Sequence, residues 1–364
     1  MPPGDRAGLL PPSEISAVII NHNSGGTVLE VIRSLLRQDP PLKTILVVDN
    51  KSEDGSGAKV RAAFPGVRLI ELEQNMGISY ARNLGMSHAN SKLVLMIDDD
   101  VYLEQGALQK LIRARQQTSA AIVVPRVVFH PGDRVIQCDG AQIHMTGTLS
   151  LLHRDRLVDS CPPDQAEVNA FIGACLLVNR QAVSAAGGFD EDYFFYFEDL
   201  ELSYRLKALG HKIICAGHAV AYHHRGEGTP GLSFRGEGAY PLQRAYYIIR
   251  NRWLTMGLHF QWRTLLILSP VLVMYELATF GVAILRGWIM EWFRALVWVV
   301  KHGDLIRQRR LRWQSLRKAP DHEILENGPL PLASGFVHGR IGLLAIRMLD
   351  WVLNRYWMVV HQWL

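Results

Sequence analysis

The fold of this chain is decided by residues 93–100, which read LVLMIDDD. A run of five apolar residues is typical of a strand that is buried on both faces of a parallel sheet. The aspartates that follow, Asp98, Asp99 and Asp100, would then lie in the loop at the carboxyl end of that strand, where open α/β sheets bind ligands. Carboxylates in this position can hold a divalent cation together with the phosphates of a substrate.

The sequence on either side of this stretch alternates between strand-like and helix-like patterns. The further predicted strands share a short apolar run and lie at 16–20, 45–48, 67–71, 122–125, 174–178 and 212–216. The predicted helices lie at 28–37, 75–88 and 199–210. Such alternation predicts an α/β fold of the Rossmann-like kind, with a mostly parallel sheet and helices on both faces.

The composition narrows the class of protein. Among 364 residues, 48% are hydrophobic and 20% are charged, which is apolar for a purely soluble protein. The net charge of +5 suits an anionic substrate or a membrane surface. Basic residues do not alternate with aromatic ones in a stripe, so we expect no nucleic-acid partner. The four cysteines lack zinc-binding spacing and are expected to be buried thiols in a reducing compartment.

The aspartate triplet supports two interpretations. If the strand persists, Asp98 and Asp100 point to the same side, and their mutual repulsion favours a bound Mg²⁺ or Mn²⁺. Alternatively, the triplet is a solvated acidic loop that caps the following helix. Its position at a strand end favours the metal site.

Three other polar positions have a chemical and a structural interpretation each. Asp49 ends a predicted strand and could accept the imide N–H of uracil or thymine, or it could form an Asx turn. Arg82 lies in the first turns of a predicted helix and could bind a diphosphate, or it could be a surface arginine. The pair Glu198 and Asp199 could supply a base, or it could cap the helix that follows.

Several motifs occur together and in order. They are IINHN at 19–23, VDNKSEDGS at 48–56, NMG at 75–77, ARNLG at 81–85, DDD at 98–100, GACLL at 173–177, GGFDE at 187–191, FYFEDLELSYR at 195–205 and AVAYHH at 219–224. This set resembles family-2 glycosyltransferases of the GT-A fold, especially their rhamnosyltransferase-like bacterial branch. The resemblance covers about residues 15–225, and the ordered set is far more specific than any one motif.

The resemblance implies a role for each matching residue. Asp199 would be the catalytic base and Glu198 would position the acceptor. Asp100 would coordinate the metal together with Asp98, which also faces the ribose or donor sugar, and His223 would complete the metal or diphosphate site ahead of His224. Asp49 would recognise the base. The other residues expected to bind the nucleotide-sugar are Asn21, Asn23, Asn75, Gly77, Arg82 and Asp99.

Two positions depart from the family pattern. His22 stands where many members carry an aromatic residue such as tyrosine, which makes stacking on the base less certain. Relatives in the rhamnosyl branch often lack a full acidic triplet, so keeping all three aspartates favours metal dependence and weakens an assignment to rhamnose.

The resemblance further implies an inverting transfer from a UDP- or dTDP-sugar to a hydroxyl of a polyprenyl-linked or cell-surface glycan, assisted by Mg²⁺ or Mn²⁺. Two alternatives are a catalytically inactive scaffold tethered to the membrane and a nucleotidyltransferase. The second lacks support because no glycine-rich phosphate loop with a nearby lysine follows the first strand. Loops at 130–170 and 225–240 are expected to decide the donor and the acceptor.

The C-terminal third differs in composition from the rest. Residues 264–285 are almost continuously apolar, interrupted by Pro270 and Glu276, and are about long enough to span a bilayer, while 287–300 are too short for an untilted span. A basic stretch at 301–318 and an amphipathic helix at 341–364 follow. A re-entrant or interfacial hairpin fits this order better than a single crossing. The alternative is a buried helical subdomain or an oligomer interface.

We therefore expect three regions. Residues 1–14 would be a disordered lead-in rather than a signal peptide. Residues 15–235 would form the catalytic domain, with a nucleotide-binding half at 15–125 and an acceptor half at 126–235. Residues 236–364 would be helical and associated with the cytoplasmic face of the bacterial inner membrane, either peripherally or as a re-entrant segment.

Overall fold

The computed structural model describes residues 15–132, 134–224, 241–330 and 340–364. The expected lead-in at 1–14 and the loop at 225–240 lie outside the described residues, and so does the expected domain boundary at 235.

The strands are β1 Ile15–Asn21, β2 Thr44–Asp49, β3 Arg68–Glu71, β4 Leu93–Asp98, β5 Val101–Leu103, β6 Ile122–His130, β7 Ile136–Cys138, β8 Ala141–His144, β9 Thr148–Leu151, β10 Gln165–Glu167, β11 Cys175–Asn179, β12 Ile213–His224 and β13 Leu325–Glu326. The helices are α1 Thr27–Leu36, α2 Ser56–Ala63, α3 Ile78–His88, α4 Ala107–Thr118, α5 Arg180–Ala185, α6 Glu198–Ala208, α7 Leu242–His259, α8 Trp262–Leu285, α9 Ile289–Lys301, α10 Gly303–Leu316 and α11 Arg340–Val360.

The large sheet has the strand order β10-β12-β6-β11-β4-β1-β2-β3. The four strands β4, β1, β2 and β3 are mutually parallel, as the sequence predicts. Strand β11 runs antiparallel between β4 and β6, so the complete sheet is mixed. An apolar run predicts a buried strand but does not record its direction, which is why the sequence could not distinguish these two halves.

Helices cover both faces of the sheet, and the alternation of side chains along β1 explains how. Ala17 and Ile19 pack with α1 and α4, whereas Val18 and Ile20 pack with α3 and α6 on the opposite face. All four residues are buried. The sheet is therefore sandwiched, and its polar strand ends form the edge at which a ligand can bind.

Strands β6 and β12 run further than the sequence predicts. They pair with each other in parallel register as far as His130 and His224, across an irregularity between Ala216 and Val220. The extension carries His223 back to the loop that holds Asp100, because β12 also pairs with β5 at Val101.

The C-terminal helices pack around α6 and each other. Leu200 and Tyr204 of α6 share a buried cluster with Leu268 of α8 and Leu353 of α11. The described residues contain one helix, α8, that is long and apolar enough to cross a membrane by length and composition. The apolar runs predicted at 264–285 and 287–300 are thus the helices α8 and α9, and the amphipathic segment at 341–364 begins with α11.

Candidate active site

The site is built where β1, β2 and β4 end side by side. Asn21 is in register with Asp49, and Ile20 is in register with Asp98. Because these strands are parallel, the polar residues at their carboxyl ends meet along one edge of the sheet. The expected site residues of the nucleotide-binding half therefore come together.

Asn21 and Asn23 hold the loops of this edge in place. The side chain of Asn21 is fully buried and its Nδ2 donates to Ser52 Oγ at 3.0 Å and to Ser56 Oγ at 2.9 Å. The backbone N–H of Asn23 donates to Ser52 Oγ at 3.0 Å, and Asn23 Oδ1 accepts the N–H of Glu53 at 2.8 Å. Both asparagines thus join the β1–α1 loop to the β2–α2 loop, and Asn21 has no exposed surface for a nucleotide.

Asp49 makes the turn bond that the structural interpretation predicts. Its Oδ1 accepts the backbone N–H of Ser52 at 2.7 Å. Its Oδ2 lies over Gly57, where a Cβ atom would come within 2.5 Å of that oxygen. Gly57 therefore makes room for the carboxylate at the start of α2.

Asn75 and Gly77 shape the start of α3. Asn75 Oδ1 accepts from Asn50 Nδ2 and from the N–H of Gly77, both at 2.9 Å. Gly77 has a φ of +84°, and a Cβ there would lie 2.6 Å from the carbonyl oxygen of Phe194. That carbonyl accepts the N–H of Ile78 at 2.8 Å, so α3 begins against the segment that precedes Glu198.

The three aspartates have three different partners. β4 ends at Asp98, so Asp98 and Asp100 do not continue as alternating strand residues. Asp98 Oδ1 accepts from Arg82 Nη2 at 3.0 Å, and Asp99 Oδ2 accepts the backbone N–H of His22 at 2.8 Å. Asp100 Oδ1 lies 3.3 Å from His223 Nε2. Burial raises the pKa of Asp98, although the neighbouring charge of Arg82 opposes this.

Asp100 and His223 form a pair suited to a metal. His223 Nδ1 lies 2.7 Å from Gln137 Oε1, and His223 Nε2 lies 3.3 Å from Asp100 Oδ1. A carboxylate oxygen and an imidazole nitrogen at this distance could share a cation. No group of three or more His, Cys, Asp or Glu residues in the described ranges could hold a metal alone. Asp98, the third expected ligand, bonds to Arg82 instead.

Arg82 is an interior residue and not the surface arginine of the structural alternative. Its side chain is 1% exposed. Nη1 donates to Glu198 Oε1 at 2.9 Å, and Nη2 donates to the carbonyl oxygen of Gly173 at 2.9 Å as well as to Asp98. Through its two terminal nitrogens, Arg82 joins Asp98 at the end of β4 to Glu198 at the start of α6, while its Nε is buried without a partner among the described residues.

Glu198 and Asp199 begin α6 and differ in their surroundings. Asp199 Oδ1 accepts the N–H of Leu200 at 2.7 Å and Oδ2 accepts the N–H of Gly173 at 3.3 Å. Burial raises the pKa of Asp199, and Arg82 together with these N–H groups works in the opposite direction. Burial and the neighbouring Asp199 charge raise the pKa of Glu198 to about 7. Glu198 Oε2 is buried without a hydrogen-bond partner in the described part of the chain.

The sequence did not single out Asn251, which fixes the segment before this pair. Phe194, Tyr196 and Phe197 all have positive φ angles, between +53° and +69°. Asn251 Nδ2 on α7 donates to the carbonyls of Tyr193 and Phe195 at 3.0 Å and to that of Tyr196 at 2.6 Å. Three bonds from one buried amide can hold a turn that is otherwise unfavourable. The aromatic run before Glu198 gave no signal of this, because Asn251 lies more than fifty residues later.

His259 is a second residue of α7 that the sequence did not indicate. Its Nε2 lies 2.8 Å from Glu201 Oε1, and all three side chains of the group Glu201, Arg205 and His259 are buried. Arg205 Nε also bonds Glu201 Oε1, at 2.9 Å. Helix α6 is thereby joined to α7 by a hydrogen bond between buried polar side chains as well as by apolar packing.

Comparison with known proteins gives consistent matches. The model of glycosyl transferase family 2 matches residues 16–152, and that of glycosyl transferase family group 2 matches residues 93–306. The N-acetylglucosaminyl-diphospho-decaprenol L-rhamnosyltransferase of Mycobacterium tuberculosis is 25% identical over 242 residues, which cover 59% of this chain and 77% of that protein. The low-salt glycan biosynthesis hexosyltransferase Agl10 of Haloferax volcanii is 24% identical over 248 residues, covering 66% of this chain and 75% of that protein.

Two further matches extend the comparison. An uncharacterized protein of Mycobacterium tuberculosis, MT1568, is 27% identical over 345 residues, which cover 92% of this chain and 100% of that protein. Among solved structures, GalNAc-T7 with UDP, GalNAc and Mn²⁺ matches with a TM-score of 0.54 at 17% identity. The match covers 70% of this chain and 48% of that one, so the chain spans about half of GalNAc-T7. This likeness shows the fold, which is of the GT-A type.

Proposed function

Because the chain belongs to glycosyl transferase family 2, in its rhamnosyltransferase-like branch, we propose that it moves a sugar from a UDP- or dTDP-sugar to a hydroxyl group of a lipid-linked or cell-surface glycan. The observation that carries the proposal is the convergence of Asp98 and Glu198 on the buried guanidinium of Arg82, next to Asp199. Carboxylates from the strand-end loop and from the start of α6 are thus held at one place, although they lie far apart in sequence.

Asp199 is the proposed catalytic base. It would take the proton of the acceptor hydroxyl as that oxygen attacks the anomeric carbon, while the bond from this carbon to the nucleoside diphosphate breaks on the opposite side. One displacement inverts the anomeric centre, and one base is sufficient. The raised pKa of Asp199 strengthens it as a proton acceptor, and the N–H groups of Leu200 and Gly173 orient the carboxylate.

Glu198 is proposed to position the acceptor. Its pKa of about 7 means that the carboxyl is partly protonated near neutral pH, so it can both donate to and accept from a sugar hydroxyl. Arg82 holds Oε1. Oε2 is buried without a hydrogen-bond partner among the described residues, and the acceptor hydroxyl, entering beside the start of α6, would supply that partner.

Asp100 and His223 are the residues that would hold Mg²⁺ or Mn²⁺. One carboxylate and one imidazole leave most coordination positions to phosphate oxygens and water, which is how Mg²⁺ binds in phosphate-transferring sites. The cation would supply charge stabilisation of the departing diphosphate. Gln137 sets the orientation of the His223 ring through Nδ1.

The donor nucleotide is proposed to lie across the ends of β1 and β2. Asp49 Oδ2 would accept the imide N–H of uracil or thymine. Asn21, Asn23, Asn75, Gly77 and Asp99 would act by holding the surrounding loops in position, as their bonds indicate. The decaprenol named in the mycobacterial relative supports a polyprenyl-linked acceptor. We further propose a location at the cytoplasmic face of the bacterial inner membrane.

A donor panel tests the proposal. UDP- and dTDP-sugars are supplied with and without Mn²⁺ or Mg²⁺ to the detergent-solubilised protein, and release of nucleoside diphosphate is measured. We expect release from one donor, dependent on the metal and lost in Asp199→Asn. Asp304→Asn is the matched control, because Asp304 is an exposed residue in the first turn of α10 and lies outside the loops expected to decide the donor and the acceptor.

Two outcomes would count against the proposal or refine it. If no donor gives nucleoside diphosphate release and no donor stabilises the protein against heat, an inactive scaffold is favoured. Release that survives Asp100→Asn and His223→Ala with unchanged metal dependence would refute the metal assignment while leaving the transferase intact.

A further inference from the structure

Helix α8 has an apolar stripe on each of two opposite sides. Its buried side comprises Thr264, Leu268, Val271 and Tyr275, which pack against the rest of the protein. The opposite side carries Trp262, Leu266, Val273, Leu277 and Ile284, which are between 57% and 75% exposed. At 100° per residue these five fall within one narrow stripe. The outer side of a helix that faces water is normally polar, so this side is built for another environment.

Helices α9 and α11 present exposed apolar residues as well. On α9 they are Met290, Phe293, Leu296, Val297 and Val300. On α11 they are Leu344, Met348, Trp351, Val352, Met358 and Val359. Both sets recur at intervals of three, four or seven residues, so each helix has one apolar face.

The bonds of Glu276 show how α8 is held. One carboxylate oxygen accepts from Arg252 Nη1 at 2.7 Å and from Trp253 Nε1 at 3.0 Å, and the other accepts from Trp292 Nε1 at 3.0 Å. Glu276 thereby ties the middle of α8 to α7 and α9. Arg252 in turn donates to the carbonyl of Thr146 at 2.7 Å, in the catalytic part of the chain. A membrane-spanning α8 would draw Arg252 and this polar group into hydrocarbon, at high cost.

The charges of the three helices are asymmetric. Their acidic residues, Glu276, Glu291 and Asp350, are all engaged within the protein: Glu291 pairs with Arg294, and Asp350 accepts the N–H of Leu330. The basic residues Arg263, Lys301, Arg347 and Arg355 are exposed. A surface with apolar stripes and exposed cations complements the interface of an anionic bilayer.

We propose that α8, α9 and α11 form a membrane-binding surface that lies in the plane of an anionic lipid bilayer, with α8 parallel to the membrane rather than across it. The surface itself is inferred from the exposed residues alone. Its role, which is to bring the active site to a lipid-linked acceptor, rests on the proposed function. The partner is the lipid interface itself, recognised by apolar insertion and by attraction of phosphate headgroups.

Vesicle flotation of the full-length protein tests the surface. We expect binding to vesicles of phosphatidylcholine mixed with phosphatidylglycerol, and weaker binding to phosphatidylcholine alone. The double variant Leu266→Glu/Leu277→Glu should bind on the order of 10- to 100-fold more weakly, because two apolar side chains no longer insert. Leu36→Glu/Leu157→Glu, with equal charge change and similar exposure, should bind like the wild type.

The depth of α8 distinguishes an in-plane helix from a spanning one. Single cysteines at Leu266, Val273 and Ile284 lie on the same stripe, and the four native thiols are buried, so a spin label attaches at the chosen site. Equal, shallow immersion at the three positions is expected. A label at Val273 far deeper than those at the two ends would overturn the in-plane arrangement.

Two other results would overturn the surface as a whole. One is the absence of vesicle binding by wild type. The other is a dimer in sedimentation velocity that Leu266→Glu/Leu277→Glu dissolves without any change in vesicle binding, which would assign the face to a second copy. Donor turnover in detergent separates this inference from the proposed function. If the double variant turns over the donor and neither it nor the wild type binds vesicles, the membrane-binding surface is disproved and the proposed function stands.

Discussion

Arg82 and Glu198 are separated by 116 positions in the chain, yet Arg82 Nη1 donates to Glu198 Oε1 at 2.9 Å. The same guanidinium bonds Asp98 and the carbonyl of Gly173, whose N–H donates to Asp199. One buried arginine therefore sets the relative positions of the carboxylates at the end of β4 and at the start of α6.

Replacing Arg82 should damage both stability and turnover. Arg82→Met leaves two carboxylates near each other without their cation, and we expect a loss of about 3–5 kcal/mol in the free energy of unfolding. Arg82→Lys retains the charge but cannot make three bonds in the same geometry, so we expect a milder loss of stability with a clear fall in kcat. Denaturant titration and donor turnover measure the two effects.

The exposed pair Arg61 and Glu71 provides the control for Arg82. Both side chains are at least half exposed, so Arg61→Met should change stability by no more than about 1 kcal/mol. Wild-type stability in Arg82→Met would disprove the bridging role.

Asp199→Asn should abolish most of the turnover while leaving the fold intact. The amide keeps the shape of the side chain but cannot accept the proton, and we expect a loss of about 10²–10⁴ in kcat. Turnover requires the deprotonated carboxylate of Asp199, whose pKa is raised by burial. Wild-type turnover should therefore fall as the pH drops through a value above the ordinary aspartate range. A pH profile of kcat in wild type and variant checks both statements; equal turnover in the two would exclude Asp199 as the base.

Glu198→Gln should stabilise the protein at alkaline pH. The pKa of Glu198 is raised to about 7 in the folded state, so its contribution to stability is complete below its unfolded value near 4.5 and is lost as the pH rises through 7. The neutral amide avoids this loss. Melting curves between about pH 5 and pH 8 should show a growing advantage of the variant.

The exposed Glu73→Gln is the control for Glu198→Gln and should show no such trend. A variant that is less stable than wild type at every pH would mean that the bond to Arg82 outweighs the burial of the charge. Its turnover should fall in either case, since the acceptor loses its positioning group.

Gly173→Ala should reproduce the effect of losing Arg82. A Cβ atom at this position would come within 2.5 Å of Arg82 Nη1 and 2.7 Å of Cζ, so the guanidinium must move away from its partners. We expect a clear loss of both stability and kcat. Gly66→Ala is matched to it, because a Cβ there meets nothing within 4 Å, and it should behave like wild type. Unchanged kinetics in Gly173→Ala would show that the guanidinium can shift without consequence.

Glu201 should govern stability in acid. Burial alone would raise its pKa, but Arg205 and His259 lower it to about 2. Its contribution is therefore complete above the unfolded value near 4.5 and is lost as the pH falls towards 2. Glu201→Gln should be less stable than wild type by about 3–5 kcal/mol near neutrality, since Arg205 is left buried without its partner. The difference should shrink below about pH 4.5, as acid titration of both proteins can measure; a constant difference would contradict the assignment.

The sequence by itself determined the fold class and the edge of the sheet at which the site lies. Local periodicity predicts the apolar strand at 93–97 before the three aspartates and the earlier strands that end at Asn21 and Asp49. The rule that parallel strands end at the same edge of the sheet then brings these polar residues together. The pair Glu198 and Asp199 was also visible, because a motif lies within a few consecutive residues.

Only the tertiary structure decided what Arg82, the separate aspartates and Asn251 do. The sequence left Arg82 open between a diphosphate ligand and a surface arginine, because its partners Asp98, Gly173 and Glu198 lie between 16 and 116 positions away. Asp99 and Asp100 received different partners because β4 ends at Asp98, and Asn251 reached the turn before Glu198 because α7 packs there. Periodicity reports which face of an element is buried, whereas burial of a charge depends on which distant polar groups the packed chain brings within hydrogen-bonding distance.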